Sequence, residues 1–183
     1  MASGNIDIYL IRHAEAAGQA ADAPLTGEGM GQAEALGEFL SGLEVGQIVS
    51  SPFVRAVRTI EPLADRLGIG IKLDDRLIEA ALGTVDHPDW LDKLRETFLD
   101  FALSFEGGES SQEATTRAID AIDDALRSDP DRTVVVTHGR LMTLILKHFD
   151  PKYGFEEWRD LTTPDVFRIV INDDAAEVVR IWG

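Results

Sequence analysis

Arg12 and His13 stand in the stretch IDIYLIRHAEA (6–16) directly after its first six residues, which read as a buried strand. A guanidinium taken out of water without a partner is expensive, so water or an anion must meet this strand end. His138 follows the apolar run TVVV (133–136) in the same way, within TVVVTHG. Arg55 lies about one helical turn beyond IVSS (48–51), in IVSSPFVRA, and Glu79 follows the run IGIKL (69–73), in LDDRLIEA. In open α/β sheets the ligand crevice lies beyond the carboxyl ends of the strands. Two histidines, two arginines and one carboxylate directed there form a site for an anion, with titratable groups placed to act on it.

The elements that must position them follow from hydrophobic spacing. Runs at 6–11, 46–49, 69–73, 133–136, 166–171 and 177–182 read as strands, and helical spacing appears over 28–43, 53–67, 89–103, 111–127 and 140–149. The runs at 6–11 and 133–136 are apolar on both faces, as central parallel strands covered by helices are. The alternation predicts an α/β fold, a three-layer α/β/α sandwich with a mostly parallel sheet. Asn172-Asp173-Asp174 suits a hairpin turn between the last two runs and hence an antiparallel edge strand. A single domain is expected over 1–183, with a local excursion at about 80–110 that ends at Gly107-Gly108. Thr26 is placed to cap the first helix and Ser110 with Glu113 to form a capping box. Ser51, followed by Pro52, is placed to cap the helix that carries Arg55.

Charge narrows the ligand. Seventeen Lys and Arg face 33 Asp and Glu, a formal net of −16, which repels nucleic acid and anionic membrane surfaces. An anionic ligand therefore needs the few basic residues concentrated where it binds. The absence of cysteine excludes disulfides and thiol chemistry. With no signal-like start and no membrane-length apolar run, a cytoplasmic location is expected. GEGMG (27–31) fails the dinucleotide fingerprint because Gln32 takes the place of the third glycine. His87 and His148 lack ligand-spaced partners and read as surface residues. No metal site is expected.

Six motifs then carry a resemblance. RHAE (12–15), LTGEGMGQA (25–33), SSPFVRAVRT (50–59), LIE (77–79), GGES (107–110) and VVTHG (135–139) stand in the order found in the histidine phosphatase superfamily. Over roughly 6–140 the chain resembles the small phosphoglycerate-mutase-like branch. The resemblance implies that His13 accepts the phosphoryl group, that Arg12, Arg55 and His138 bind it, and that Glu79 donates a proton to the leaving oxygen. Neutral imidazole is a competent nucleophile near physiological pH, and guanidinium forks suit the charge on a transferring phosphoryl group. A helix beginning near Gly139 would also aim N–H groups at the anion. Neither cofactor nor metal is implied.

Some positions depart from the family pattern. Ala14 replaces the usual glycine of RHG, and Gln19 stands where many members carry a phosphate-contacting Asn. Gln19, Gly139 and Arg140 are further substrate-binding candidates, and Arg58, like Arg140, lies close in sequence to family positions without matching a required motif residue. Asp86 and Glu109 are the alternative proton donors. The expected activity is hydrolysis of a small phosphomonoester through phospho-His13, with inorganic phosphate as product, because the 80–106 excursion would make only a small cap and admit water. A phosphoglycerate-type mutase, a protein phosphohistidine phosphatase and a non-catalytic phosphate-binding module remain the alternatives. The natural substrate and the oligomeric state are left open by the sequence.

Overall fold

The computed structural model describes residues 6–84, 88–128, 132–172 and 175–183. Its centre is a six-stranded sheet of order β3-β2-β4-β1-β5-β6. The strands are β1 (Ile6–Arg12), β2 (Gln47–Ser50), β3 (Ile71–Leu73), β4 (Arg132–Thr137), β5 (Asp165–Ile171) and β6 (Ala176–Trp182). β1, β2, β3 and β4 run parallel to one another, whereas β5 pairs antiparallel with both β1 and β6. The antiparallel feature predicted for the edge is thus a hairpin in which only β5 is reversed. The second reversal turns the outer strand, β6, back to the common direction. The Asp173-Asp174 part of the expected turn lies outside the described residues; Asn172 accepts the Ala175 N–H at 3.0 Å through its side chain.

Period-two alternation sorts the central strands between two apolar layers. Ile8 and Leu10 of β1 join Val135 of β4 on one face, while Tyr9 and Ile11 join Val134 and Val136 on the other. The first face is covered by α4 (Ser111–Ser128) and α5 (Gly139–Phe149), the second by α1 (Gly27–Ser41) and α2 (Val54–Leu67). Every residue of α5 from Leu141 to Leu146 is buried, because the helix lies between the sheet and α4 rather than presenting one face to water.

Thr26 caps α1 by accepting the Gly29 N–H at 2.9 Å, and Ser110 with Glu113 forms the predicted capping box before α4. The helix expected over 89–103 is shorter, α3 (Trp90–Leu99). Asp100 takes up the Ala102 N–H at 3.0 Å, and this Asx turn competes with another helical turn. A short helix, α6 (Phe155–Arg159), and a 3-10 turn over Asp75–Leu77 have too few residues to show periodicity in the sequence. The segment after the 3-10 turn folds back on itself: Thr84 N–H donates to the Glu106 carbonyl and Glu109 N–H to that of Ala81. Gly108 is required there, since a Cβ would lie 2.3 Å from the Leu82 carbonyl oxygen. Among the described residues no helix is long and apolar enough to cross a membrane.

Candidate active site

Three parallel strands end at one place. His13 N–H extends the β1–β4 ladder by donating to Thr137 O at 3.1 Å, and Ser51 N–H donates to Val136 O at 2.9 Å. The His13 and His138 rings consequently meet with centroids 5.1 Å apart. The Thr137 hydroxyl donates to the Leu77 carbonyl at 2.8 Å, tying the turn that precedes Glu79 to the end of β4.

His13 is 9% exposed, and its Nδ1 lies 2.7 Å from the Ala14 carbonyl oxygen. A carbonyl only accepts, so Nδ1 carries the proton and Nε2 keeps the lone pair. Arg55 donates its Nε–H to that Nε2 at 3.2 Å. Burial, followed by the Arg55 and Arg12 charges, lowers the His13 pKa to about 4 against the backbone hydrogen bond to Ala14. The imidazole is therefore neutral near pH 7, the state that a nucleophile needs. Ala14, where a glycine was expected, packs its methyl with Leu25 and Ala33 and donates its N–H to Thr59 Oγ1 at 2.8 Å.

A depressed histidine pKa also sets a pH dependence of stability. Below the ordinary value of 6.5 the unfolded chain binds a proton that folded His13 refuses down to about pH 4. The stabilisation is complete above about pH 6.5 and is lost as pH falls toward 4. Between pH 7 and pH 5 the phosphate-free wild type should lose on the order of 2 kcal/mol more than His13→Gln. Denaturant titrations at the two pH values measure this difference; identical losses would mean that His13 titrates normally in the fold.

His138 is fully buried, with Nε2 2.8 Å from the Ser51 hydroxyl. This corrects the expected role of Ser51: α2 starts at Val54 with Phe53 at its cap position and no side-chain cap. The hydroxyl instead pairs with the buried imidazole and accepts the Phe53 N–H at 3.3 Å, ahead of the helix rather than in its first turn. Burial first, and then the charges of His13 and the nearby arginines, hold the His138 pKa well below its ordinary value.

The arginines fall into two groups. Among the described residues, Arg12, Arg55 and Arg140 have no carboxylate within 4 Å, whereas every other arginine of the chain is ion-paired. Arg55 is 1% exposed, with Nη1 donating to the Gln19 and Ala20 carbonyls at 3.1 and 2.8 Å. Arg12 Nη1 donates to the Leu161 and Thr162 carbonyls at 3.3 and 3.2 Å. Its guanidinium lies 3.3 Å from where a Cβ on Gly139 would stand, an approach that glycine permits. Burial lowers the pKa of all three, and Glu79 supplies the largest opposing charge in each case. Among the described residues the buried side-chain polar atoms without a partner are Arg12 Nε, His138 Nδ1 and Arg140 Nε, all in this cluster. Such groups need a ligand or water to satisfy them.

Glu79 accepts the N–H groups of Ala80, Arg140 and Leu141 at 2.9, 3.2 and 3.0 Å. Of the amides expected to point at the anion from the start of α5, two thus already hold this carboxylate. The Arg140 guanidinium turns away from its sequence neighbour His138, with Nη1 on the Ala80 and Ala81 carbonyls at 3.2 and 3.0 Å. Arg58 pairs with Glu61 on the exposed side of α2, Glu109 is held by Arg117, and His148 is exposed. Asp86 and His87 lie outside the described residues.

A cavity of about 470 Å³ opens beside this cluster, bordered by Arg12, Gln19, Glu79, Gly139 and Arg140. Its far wall carries Leu82, Trp90, Leu94, Phe105 and Trp158. Sequence reading passed over that wall, Thr59 and the Leu161–Thr162 carbonyls, and it gave Ser51 a helix cap's role. A histidine partner cannot be told from a helix cap until β2 and β4 are paired, and the aromatic residues carry no motif.

With a buried histidine pair and unpaired arginines at the C-terminal ends of β1 and β4, the comparison with known proteins agrees. The sequence matches the histidine phosphatase superfamily (branch 1) over residues 8–182, and the chain belongs to that family. It is 32% identical over 152 residues to the "Probable phosphoglycerate mutase GpmB" of Salmonella choleraesuis, covering 73% of this chain and 70% of that protein. The mycobacterial glucosyl-3-phosphoglycerate phosphatase in complex with inorganic phosphate superposes with a TM-score of 0.76 at 25% identity, covering 97% of this chain and 96% of that one. Bacillus stearothermophilus YhfR superposes at 0.73 with 23% identity over 96% of each chain and shares the fold.

Proposed function

We propose that the protein is a metal-independent phosphomonoester phosphatase working through a phosphohistidine on His13. The observation that carries this reading is a neutral imidazole beside Arg12 and Arg55, two arginines without carboxylate partners among the described residues. Arg12 and Arg55 bring two positive charges to His13, the complement of a phosphomonoester dianion. The phosphate-bound mycobacterial relative supports the same ligand class.

In the first step Nε2 of His13 attacks phosphorus, and the P–O ester bond breaks with its electron pair on the leaving oxygen, which takes a proton from Glu79. Arg55 gives up its hydrogen bond to Nε2 and meets the phosphoryl oxygens instead, together with Arg12. Ser51 donating to Nε2 of His138 leaves the proton on Nδ1, free for a phosphoryl oxygen. Water then attacks phosphorus, Glu79 accepts its proton, and the P–N bond breaks to release phosphate and regenerate neutral His13.

The reading is tested by following phosphate release from p-nitrophenyl phosphate and from an alkyl phosphate in the presence of EDTA. Wild type should hydrolyse both, and a metal requirement would overturn the reading. Glu79→Gln should lose far more kcat/KM on the alkyl ester, by about 100-fold, because only the poor leaving group needs the proton. Equal losses on both substrates would mean that Glu79 serves α5 and substrate placement rather than proton donation. The mutase reading is favoured by the name of the Salmonella relative. It requires that labelled phosphoryl pass between phosphoglycerates faster than it reaches water.

A further inference from the structure

The cavity beside the histidines is much larger than a phosphate needs and falls in the range of sites for small organic ligands. Its two sides differ in chemistry. The side with Arg12, Glu79 and Gly139 belongs to the phosphoryl site, whereas the opposite side is built from α3, α6 and the folded-back segment around Phe105. Trp90 of α3 and Trp158 of α6 meet edge to face, with centroids 6.2 Å apart at 82°, and make a corner. Trp158 is backed by Phe155, which is packed under Arg95 and against Phe98, so this indole rests on the core. Trp90 stays 48% exposed, an apolar surface with nothing over it among the described residues.

On the aromatic wall the cation that a second acidic group would need is already engaged. Lys93, the lysine on this wall, lies 3.5 Å from an Asp89 carboxylate oxygen and over the Phe105 ring at 5.2 Å. Arg140 stands on the phosphoryl side with Nη1 on the Ala80 and Ala81 carbonyls, and exposed Glu106 adds negative charge to the aromatic wall. A leaving group that placed its own carboxylate on the aromatic wall would face Glu106 and a protein of net charge −16, with Lys93 already paired to Asp89.

We infer that the alcohol part of the substrate is an uncharged group with an aromatic or extended apolar body, seated in the Trp90–Trp158 corner, and not the small acidic alcohol of a phosphoglycerate. The inference rests on the phosphatase reading and names its substrate class. Flat apolar groups gain both burial and edge-to-face contacts against two perpendicular indoles. That gain reaches the transition state because the phosphoryl end is fixed by the arginines.

The experiment compares 2-phenylethyl phosphate, ethyl phosphate and 3-phosphoglycerate, with the two alkyl esters matched in leaving-group chemistry. Wild type should show kcat/KM for the phenylethyl ester at least about tenfold above that for ethyl phosphate, with 3-phosphoglycerate the poorest. Trp90→Ala and Trp158→Ala should shrink the ratio between the two alkyl esters toward one. Trp90 is exposed, so its variant carries the test if Trp158→Ala fails to fold. Equal kcat/KM for the two alkyl esters, or a preference for 3-phosphoglycerate, would overturn the inference while leaving the phosphatase reading intact. If no ester is turned over, the phosphatase reading fails. The pocket is then judged by binding of 2-phenylethylphosphonate against ethylphosphonate, where equal affinities overturn it.

Discussion

Replacing His13 with alanine should lower phosphomonoester hydrolysis by about 1000-fold or more, without unfolding the protein. The imidazole at this position is neutral, oriented by the Ala14 carbonyl through Nδ1, and open to attack only at Nε2. Neither of its two neighbours can take its place. His138 is fully buried with one nitrogen on Ser51, and Arg55 is a cation. The variant keeps Arg12 and Arg55, so inorganic phosphate should still raise its melting temperature, because the anion binds the folded site and not the unfolded chain. Retained phosphate stabilisation with lost turnover separates a missing nucleophile from a damaged fold. Turnover within tenfold of wild type would remove His13 from the chemistry.

The second large effect belongs to Arg55. Its side chain donates Nε–H to His13, holds the Gln19 and Ala20 carbonyls with Nη1, and brings a buried positive charge that no carboxylate among the described residues pairs with. Arg55→Ala should lose the phosphate-induced rise in melting temperature and at least about 100-fold in kcat/KM, the magnitude seen when one donor to developing charge is removed. Arg55→Lys restores a charge but not the planar fork, and a lysine ammonium cannot serve His13 and two carbonyls from the same geometry. The lysine variant should therefore recover phosphate stabilisation in part and little of the rate. Full recovery with lysine would mean that charge alone matters there and that the bond to His13 Nε2 does not.

Much of this arrangement was legible in the chain. Ile8, Tyr9, Leu10 and Ile11 are apolar without a break, and two-sided burial is what a central parallel strand requires. Once that strand is placed, Arg12 and His13 must stand at its carboxyl end, and the same reasoning places His138. What was not legible depends on contacts between distant segments. Glu79 reads as a loop carboxylate until α5 presents the Arg140 and Leu141 amides to it, 61 and 62 residues away. Arg140 reads as a neighbour of His138, yet a helix start sends successive side chains in different directions, and its guanidinium ends on Ala80 and Ala81. Arg12 is steadied by carbonyls 149 and 150 residues on, in a stretch that has no periodic pattern. The short helix α6 is similarly silent, because five residues cannot show a 3.6-residue repeat, and it carries the Trp158 wall of the cavity.

The central claim is a covalent bond between phosphorus and Nε2 of His13. Wild-type protein mixed with a phosphorus-labelled activated ester, quenched in alkali within the first turnovers and digested, should carry the label on the peptide containing His13. That label should be stable to base and lost in acid, as a phosphoramidate is, and absent from His13→Ala. Label on a serine or a carboxylate, or sustained turnover with no phosphoryl-protein species at all, would contradict the account.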